Sequence, residues 1–472
     1  MSDLQLYKIK ISPPFGKTLI SAGLALAALT LTAVPTTTIA ATLTGSKPNI
    51  LYIIADDLGY SDLSAFGGEI RTPNIDTLVK SGRILSNHHV STVCAVTRSM
   101  LYSGTDHHLV GEGTMGAPND ERKGLPGYEG YLNNHALSIA ELLRDGGYHT
   151  YIAGKWHLGS AINSTTNKTP DQWGFENSFT LLGGAASNHF GHDTAAQKTY
   201  TENGQYISLP LTDNNGQPWY DTNAYTQKLI SYIDSNIADG KPFAAFATFT
   251  SPHWPLQVPE PWLSQYHGFY DAGYDVVRNR RLLRQKQLGL VPNDYTLASQ
   301  PLPNAIAPSV ASLNNGKAGA SYINANTEFD GAANVDYGPG LVDPVWSSLT
   351  ATQKQTQARY MEVYAGMVSN LDYNVGLLIQ HLKDIGEYDN TFIVFHSDNG
   401  AEGWPLSANQ DTVNANNLQY LGKDQTLNPS SAGKTNIQYG LRWAEVSATP
   451  FRLVKGYTTE GGTSSPTIVH LP

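Results

Sequence analysis

Several apolar runs in this chain end in residues that can bind ions or move protons. Pro48-Asn49-Ile50-Leu51-Tyr52-Ile53-Ile54 leads into Asp56-Asp57, and Thr391-Phe392-Ile393-Val394-Phe395 leads into Ser397-Asp398-Asn399. Three carboxylates and an amide oxygen are hard donors, a set that suits Ca²⁺ or Mg²⁺ rather than Zn²⁺. Thr150-Tyr151-Ile152-Ala153 precedes Lys155 and His157, which lie two apart and can face the same side. Pro242 to Phe249 precedes His253, set between Pro252 and Trp254. Arg98 and Lys455 add permanent positive charge. Taken singly, each has an ordinary explanation, since Asp and Asn end strands by making turns and most lysines are solvated. Gathered around a divalent metal, they would grip a tetrahedral oxyanion. The cations would stabilise charge on the transferring group, and a histidine would protonate the leaving oxygen.

Cys94 is the only cysteine and sits in Ser91–His108, STVCAVTRSMLYSGTDHH. The Thr97-Arg98-Ser99 step before Met100, Leu101 and Tyr102 predicts a loop turning into a helix. Cys94 would then lie near a helix N-terminus, where free N–H groups favour an anion. His88-His89 and His107-His108 lack helical ligand spacing and read as structural or rim residues. There is no phosphate-cradling Gly-rich motif, Cys₂His₂ pattern or Gly-x-Ser-x-Gly elbow.

The elements that must position these groups alternate. After the first strand, a short helix is expected from Asn74, following Pro73. Further helices are expected over Leu137–Leu143, ended by Gly146-Gly147, and over Thr222–Ile237. Tyr360, Tyr364, Met367, Leu371, Val375, Leu378 and Leu382 recur at spacings of three and four, the mark of a long amphipathic helix. Buried strands alternating with helices predict an α/β fold with a large, mostly parallel sheet flanked by helices. In such sheets ligands bind beyond the carboxyl ends of the strands, where the polar residues stand. Because neighbouring strand residues point to opposite faces, Asp56 and Asp57 can share a site only where the strand breaks, and Leu58-Gly59 is the expected break. Pro292–Val345 shows no periodicity and reads as an irregular insertion. The chain stops at Ile468-Val469-His470-Leu471-Pro472, within what reads as another strand with no helix to cover it; a C-terminally truncated domain over 42–472 is the expectation.

At 472 residues the chain can bury a large core. Its formal net charge of −10 argues against a nucleic-acid binder. It would also repel an anionic substrate, so attraction must come from the local cationic cluster. Lys8, Lys10 and Lys17 precede an apolar, small-residue run from Leu19 to Val34, with Thr38-Ile39-Ala40 as a cleavage end. This predicts a signal peptide over 1–41, no stable membrane span after its removal, and a periplasmic or secreted protein. A single cysteine allows no internal disulfide, which a periplasm accepts.

Taken together, these stretches resemble the type I sulfatases of the alkaline phosphatase superfamily, with the bacterial arylsulfatases nearest. The resemblance is carried by Pro48-Asn49-Ile50 through Asp56-Asp57-Leu58-Gly59, by Thr97-Arg98-Ser99-Met100-Leu101 with Gly104-Thr105-Asp106-His107-His108, and by Gly146-Gly147-Tyr148-His149-Thr150 leading to Gly154-Lys155-Trp156-His157. Ser251-Pro252-His253-Trp254-Pro255-Leu256, Ser397-Asp398-Asn399-Gly400, and Lys455 with Thr458-Thr459-Glu460-Gly461-Gly462 complete it. The family's C-terminal region is missing from this match. The resemblance implies a sulfuric ester hydrolase in which a maturation enzyme oxidises Cys94 to formylglycine, whose hydrate attacks the sulfur of a small-molecule sulfate ester. It implies that Asp56, Asp57, Asp398 and Asn399 hold a Ca²⁺ that also contacts residue 94, with Mg²⁺ the lesser alternative. Arg98 would orient the hydrate, and Lys155 and Lys455 would bind sulfate oxygens. His253 would assist the leaving alcohol, and His157 would act as base when the aldehyde is regenerated. Two positions depart from the family pattern: Val96 replaces the proline of Cys-x-Pro-x-Arg, and Thr463-Ser464-Ser465 replaces a more apolar or basic run. Two alternatives therefore stay open, a phosphodiester or phosphonate monoester hydrolase on the same scaffold and an inactive homologue that binds sulfated ligands.

Overall fold

The computed structural model describes residues 47–118, 120–159, 168–185, 188–191, 199–297, 346–403, 418–424 and 438–472. The expected signal peptide, most of the 292–345 insertion and most of the Trp404–Lys434 loop lie outside them.

Among the described residues, nine strands form one sheet. In chain order they are β1 (Asn49–Ala55), β2 (Arg83–Leu85), β3 (His149–Lys155), β4 (Asn177–Leu181), β5 (Tyr200–Glu202), β6 (Gln205–Tyr206), β7 (Phe243–Thr248), β8 (Thr391–Ser397) and β9 (Thr467–His470). Their order across the sheet is β2-β9-β8-β1-β7-β3-β4-β5-β6. The central five, β8-β1-β7-β3-β4, are mutually parallel. Both edges turn antiparallel, through β9 and β2 on one side and β5 and β6 on the other.

The central strands are apolar along their length because both faces are covered. On one face Leu51, Ile53, Tyr151, Ala153, Ala245, Ala247, Ile393 and Phe395 belong to the larger core. That face carries α1 (Pro73–Ser81), α4 (Asp221–Asn236) and α6 (Ala351–Asp384). Ile152, Ala244 and Phe246, one residue out of phase, join a second core with Tyr102, Ala140 and Trp156. These are covered by α2 (Cys94–Ser103) and α3 (Ile139–Asp145). Among the described residues the remaining α-helices are α5 (Tyr274–Gln287), α7 (Gly440–Ser447) and α8 (Glu460–Thr463). α6 spans 34 residues, about 50 Å of rigid rod. It starts at a capping box in which the Thr350 side chain accepts from Gln353 N–H and the Gln353 side chain reaches back to Thr350 N–H.

Two expectations are corrected. The final apolar stretch is a strand, as expected, but it is not left uncovered: β9 runs antiparallel between β8 and β2, and α1 rests against it. The turn after β1 also comes one residue early. Asp57 itself takes a left-handed backbone, φ 63°, a conformation that Asp tolerates better than most residues. Gly59 serves contact instead: a Cβ there would lie 2.4 Å from Ser447 Cβ.

Candidate active site

Each strand end contributes one part. β1 ends at Ala55, and the left-handed turn at Asp57 allows the neighbouring carboxylates to serve one site. β8 delivers Asp398 and Asn399, β3 ends on Lys155, and the turn after β7 carries His253. α2 begins at Cys94, as the sequence predicts, so Arg98 lies one turn further along the helix. All ten residues named from the sequence stand in one cluster, nine of them buried and His157 partly so; Asp56, Arg98, Lys155, Asp398 and Asn399 are completely buried.

The cluster is built from acid–cation pairs. Lys155 Nζ lies 2.9 and 2.7 Å from the two Asp56 oxygens. Lys455 Nζ lies 2.8 Å from Asp57 Oδ1 and 3.0 Å from Asp57 Oδ2. Arg98 Nε donates to Asp398 Oδ2 at 2.8 Å, and its Nη1 donates to the Lys155 carbonyl at 2.8 Å. Asp398 Oδ1 in turn faces Asp57 N–H at 3.4 Å. His253 Nε2 lies 3.4 Å from Asp57 Oδ2, while its Nδ1 lies 2.6 Å from the Trp254 carbonyl. Cys94 Sγ is 3.2 Å from His157 Nδ1. It also lies within 4.8 Å of a carboxylate oxygen of both Asp56 and Asp398. The thiol is therefore buried beside the acids and cations.

These contacts set the charge states. Burial, with Asp398 and Asp57 nearby, outweighs Lys155 and pushes the Asp56 carboxyl up to about 8. Burial acts the same way on Asp57, but Lys455, His253 and Lys155 override it and hold that carboxyl well below the usual range. Burial pushes the Cys94 thiol up, against the pull of Lys155 and Lys455. Burial and the surrounding cations hold His157 well below its ordinary value. Burial does the same to His253, with Asp57 opposing. Both shifts favour the neutral imidazole.

The donor set fits a hard cation. Asn399 Nδ2 donates to Asp57 Oδ1 at 2.6 Å and to the Gly400 carbonyl at 2.8 Å. Its Oδ1 is buried with no hydrogen-bond partner. An orphaned amide oxygen among three buried carboxylates fits a calcium or magnesium ion, which would also offset the burial and the repulsion that raise Asp56.

Sequence reasoning missed several neighbours. Glu402 reaches Lys455 Nζ at 3.0 Å; its place four residues after Asp398 is the one signal that could have found it. Met115 Sδ lies 3.6 Å from Cys94 Sγ, a contact no motif announces. A Cβ on Gly184 would fall 2.5 Å from His157 Nε2, so only glycine leaves room for that ring. The paired histidines stay outside the cluster: His88 meets Thr467, His89 pairs with Glu460, His107 faces the Glu112 carbonyl, and His108 pairs with Asp106.

The chain matches the family described as Sulfatase over residues 48–472. It is 40% identical over 440 residues to an uncharacterised sulfatase of Schizosaccharomyces pombe, covering 90% of this chain and 70% of that one. It is 32% identical over 438 residues to an arylsulfatase of Klebsiella aerogenes, covering 90% and 81%. Among solved structures, Ps i-CgsB in complex with k-i-k-neocarrahexaose aligns with a TM-score of 0.53 at 22% identity, over 90% of this chain and 66% of that one. That likeness concerns the fold. The extent of the family match, together with the acids, cations and cysteine gathered at the strand ends, shows that this chain belongs to the sulfatase family.

Proposed function

We propose that this chain hydrolyses sulfate esters of the arylsulfatase type, using a formylglycine made from Cys94 and a Ca²⁺ held by Asp56, Asp57, Asp398 and Asn399. The observation that carries the reading is the orphaned Asn399 Oδ1 among three buried carboxylates, each paired with its own cation, beside the lone cysteine. When present, the ion and the modified residue supply an electrophilic clamp and a nucleophilic oxygen. The chain's own groups supply the rest. An ammonium has three N–H donors, and Lys155 directs two at Asp56, which leaves one for a sulfate oxygen. Lys455 is held by Asp57 and by Glu402, so it brings its positive charge to the site with its three donors already directed at carboxylates. Arg98 is fixed by Asp398 and the Lys155 carbonyl, so it keeps positive charge beside residue 94. His157 Nδ1 faces residue 94 as a neutral base. His253 is held with its Nδ1 on a carbonyl, leaving Nε2 for the substrate. A bound sulfate monoanion acts on His253 in the same sense as Asp57, raising its proton affinity when a proton is needed by the departing alcohol.

We further propose export, with 1–41 as signal peptide, and a maturation enzyme that acts on Cys94 despite Val96. The test combines intact-mass analysis of the Cys94 peptide from the native host with turnover of an aryl sulfate, an aryl phosphodiester and a phosphonate monoester. A mass loss from thiol to aldehyde with preference for the sulfate supports the reading. Preference for either phosphorus ester transfers the reaction to that class. An unmodified thiol with no turnover makes the protein a binder of sulfated ligands.

A further inference from the structure

Behind His253 lies a second charged pair, fully buried and distinct from the acid–cation cluster. His189 Nδ1 is 2.7 Å from Asp221 Oδ2, and both side chains are completely buried. His189 Nε2 is 3.1 Å from the His253 carbonyl. Both ring nitrogens therefore face acceptors. A neutral imidazole has one N–H and would leave one of these contacts as a clash of lone pairs, so His189 is an imidazolium. Burial alone would lower its proton affinity, but Asp221 outweighs burial and raises it.

Asp221 is a hub. Its Oδ2 also accepts from Thr250 Oγ1 at 2.5 Å, and its Oδ1 accepts from Thr222 N–H at 2.6 Å at the start of α4. The Thr250 carbonyl in turn accepts from His253 N–H at 3.0 Å. His253 is thus gripped on both sides of its backbone, through its N–H by Thr250 and through its carbonyl by His189, and both grips lead to one carboxylate. His189 N–H also donates to Gln257 Oε1 at 2.9 Å, tying down the far end of the same turn.

We propose that His189 and Asp221 are positioning residues, a buried imidazolium–carboxylate clamp that fixes the Thr250–His253 turn so that the His253 ring meets the leaving oxygen of the ester. The proposal rests on the reading of His253 as the group that assists the leaving alcohol. An aid to the leaving group matters little when that group departs readily and greatly when it does not. Loosening the clamp therefore changes selectivity between leaving groups, whereas a general loss of structure slows all substrates alike.

The experiment measures kcat for 4-nitrophenyl sulfate, which has a good leaving group, and phenyl sulfate, which has a poor one, with the matured full chain loaded with calcium. His253→Ala is the reference. His189→Gln is expected to slow phenyl sulfate about tenfold more than 4-nitrophenyl sulfate, part of the range open to a general acid. Asp221→Asn, which keeps an acceptor, is expected to show the same bias to a smaller degree. Thr250→Val keeps the backbone bond to His253 N–H but cuts the tie of that grip to Asp221 without removing the buried pair, and it decides the matter if His189→Gln does not fold; its expected bias is about threefold. Equal losses on both substrates in the folded variants, while His253→Ala shows the bias, overturn the clamp. If His253→Ala itself shows no bias, the assigned role of His253 fails, and the clamp fails with it.

Discussion

The two ends of β3 carry the same kind of partnership with opposite results. At its first residue His149 lies between Glu176, at 2.6 Å, and Asp239, at 2.8 Å. Those carboxylates are 36% and 42% exposed, so water shares the charge. At its last residue Lys155 holds Asp56, and both are completely buried. The amino end is a staple that ties β3 to the segment before β4 and to the turn beyond α4. At the carboxyl end, charges removed from water act on one another far more strongly. That is costly for stability and useful for chemistry, and it explains why the shifts that matter collect at the carboxyl end of the sheet.

That contrast can be broken most decisively at Lys155. Lys155→Met leaves Asp56 buried without its partner and is expected to destabilise the protein by about 3–5 kcal/mol. It should also cut sulfate-ester turnover by about 10²–10³-fold. Thermal melts and steady-state kinetics check both, and near-normal turnover would show that the buried pair is scaffolding.

Calcium removal comes next. Calcium at a hundredfold excess over its Kd should add about 2.7 kcal/mol to stability relative to the chelated protein. Denaturant midpoints with calcium and with EDTA give that difference. Equal midpoints would mean that Lys155, Lys455 and Arg98 balance the carboxylates unaided.

The smallest effect is expected at the other end of β3. Burial alone would lower the proton affinity of His149, but Asp239 and Glu176 outweigh it and raise it. Its contribution is therefore fully present below its unfolded pKa of about 6.5 and fades as pH rises through the higher folded value. His149→Gln should lower Tm on the order of 2 °C at pH 5 and by less at pH 9, with turnover intact. A penalty that grows with pH would reverse the assignment.

The central strands, the long helix and the placing of polar residues at strand ends were legible because they rest on local pattern. Continuous apolar runs such as Phe243–Thr248 mark doubly covered strands, and a period near 3.6 marks α6. Less was legible where distant segments decide. β9 is too short to declare its direction, and only pairing with Ile393, Val394 and Phe395 makes it antiparallel. β5 and β6 are short, and α5 is rich in charged residues, one of which, Arg281, is turned inward onto Asp62 and Glu69. Nothing local distinguishes such an arginine from a solvated one.

What the sequence determined by itself was the chemical inventory and its place at strand ends: hard oxygen donors, three cations, two histidines and one cysteine. Composition and spacing record residue type and local direction, and those suffice for that much. The tertiary structure alone decided the pairing: which cation serves which acid, that Asn399 keeps an oxygen free, and that His189 and Asp221 stand behind His253. Such choices join residues up to 398 positions apart in the chain, and only the packing of the sheet brings those side chains out of water and within reach of one another.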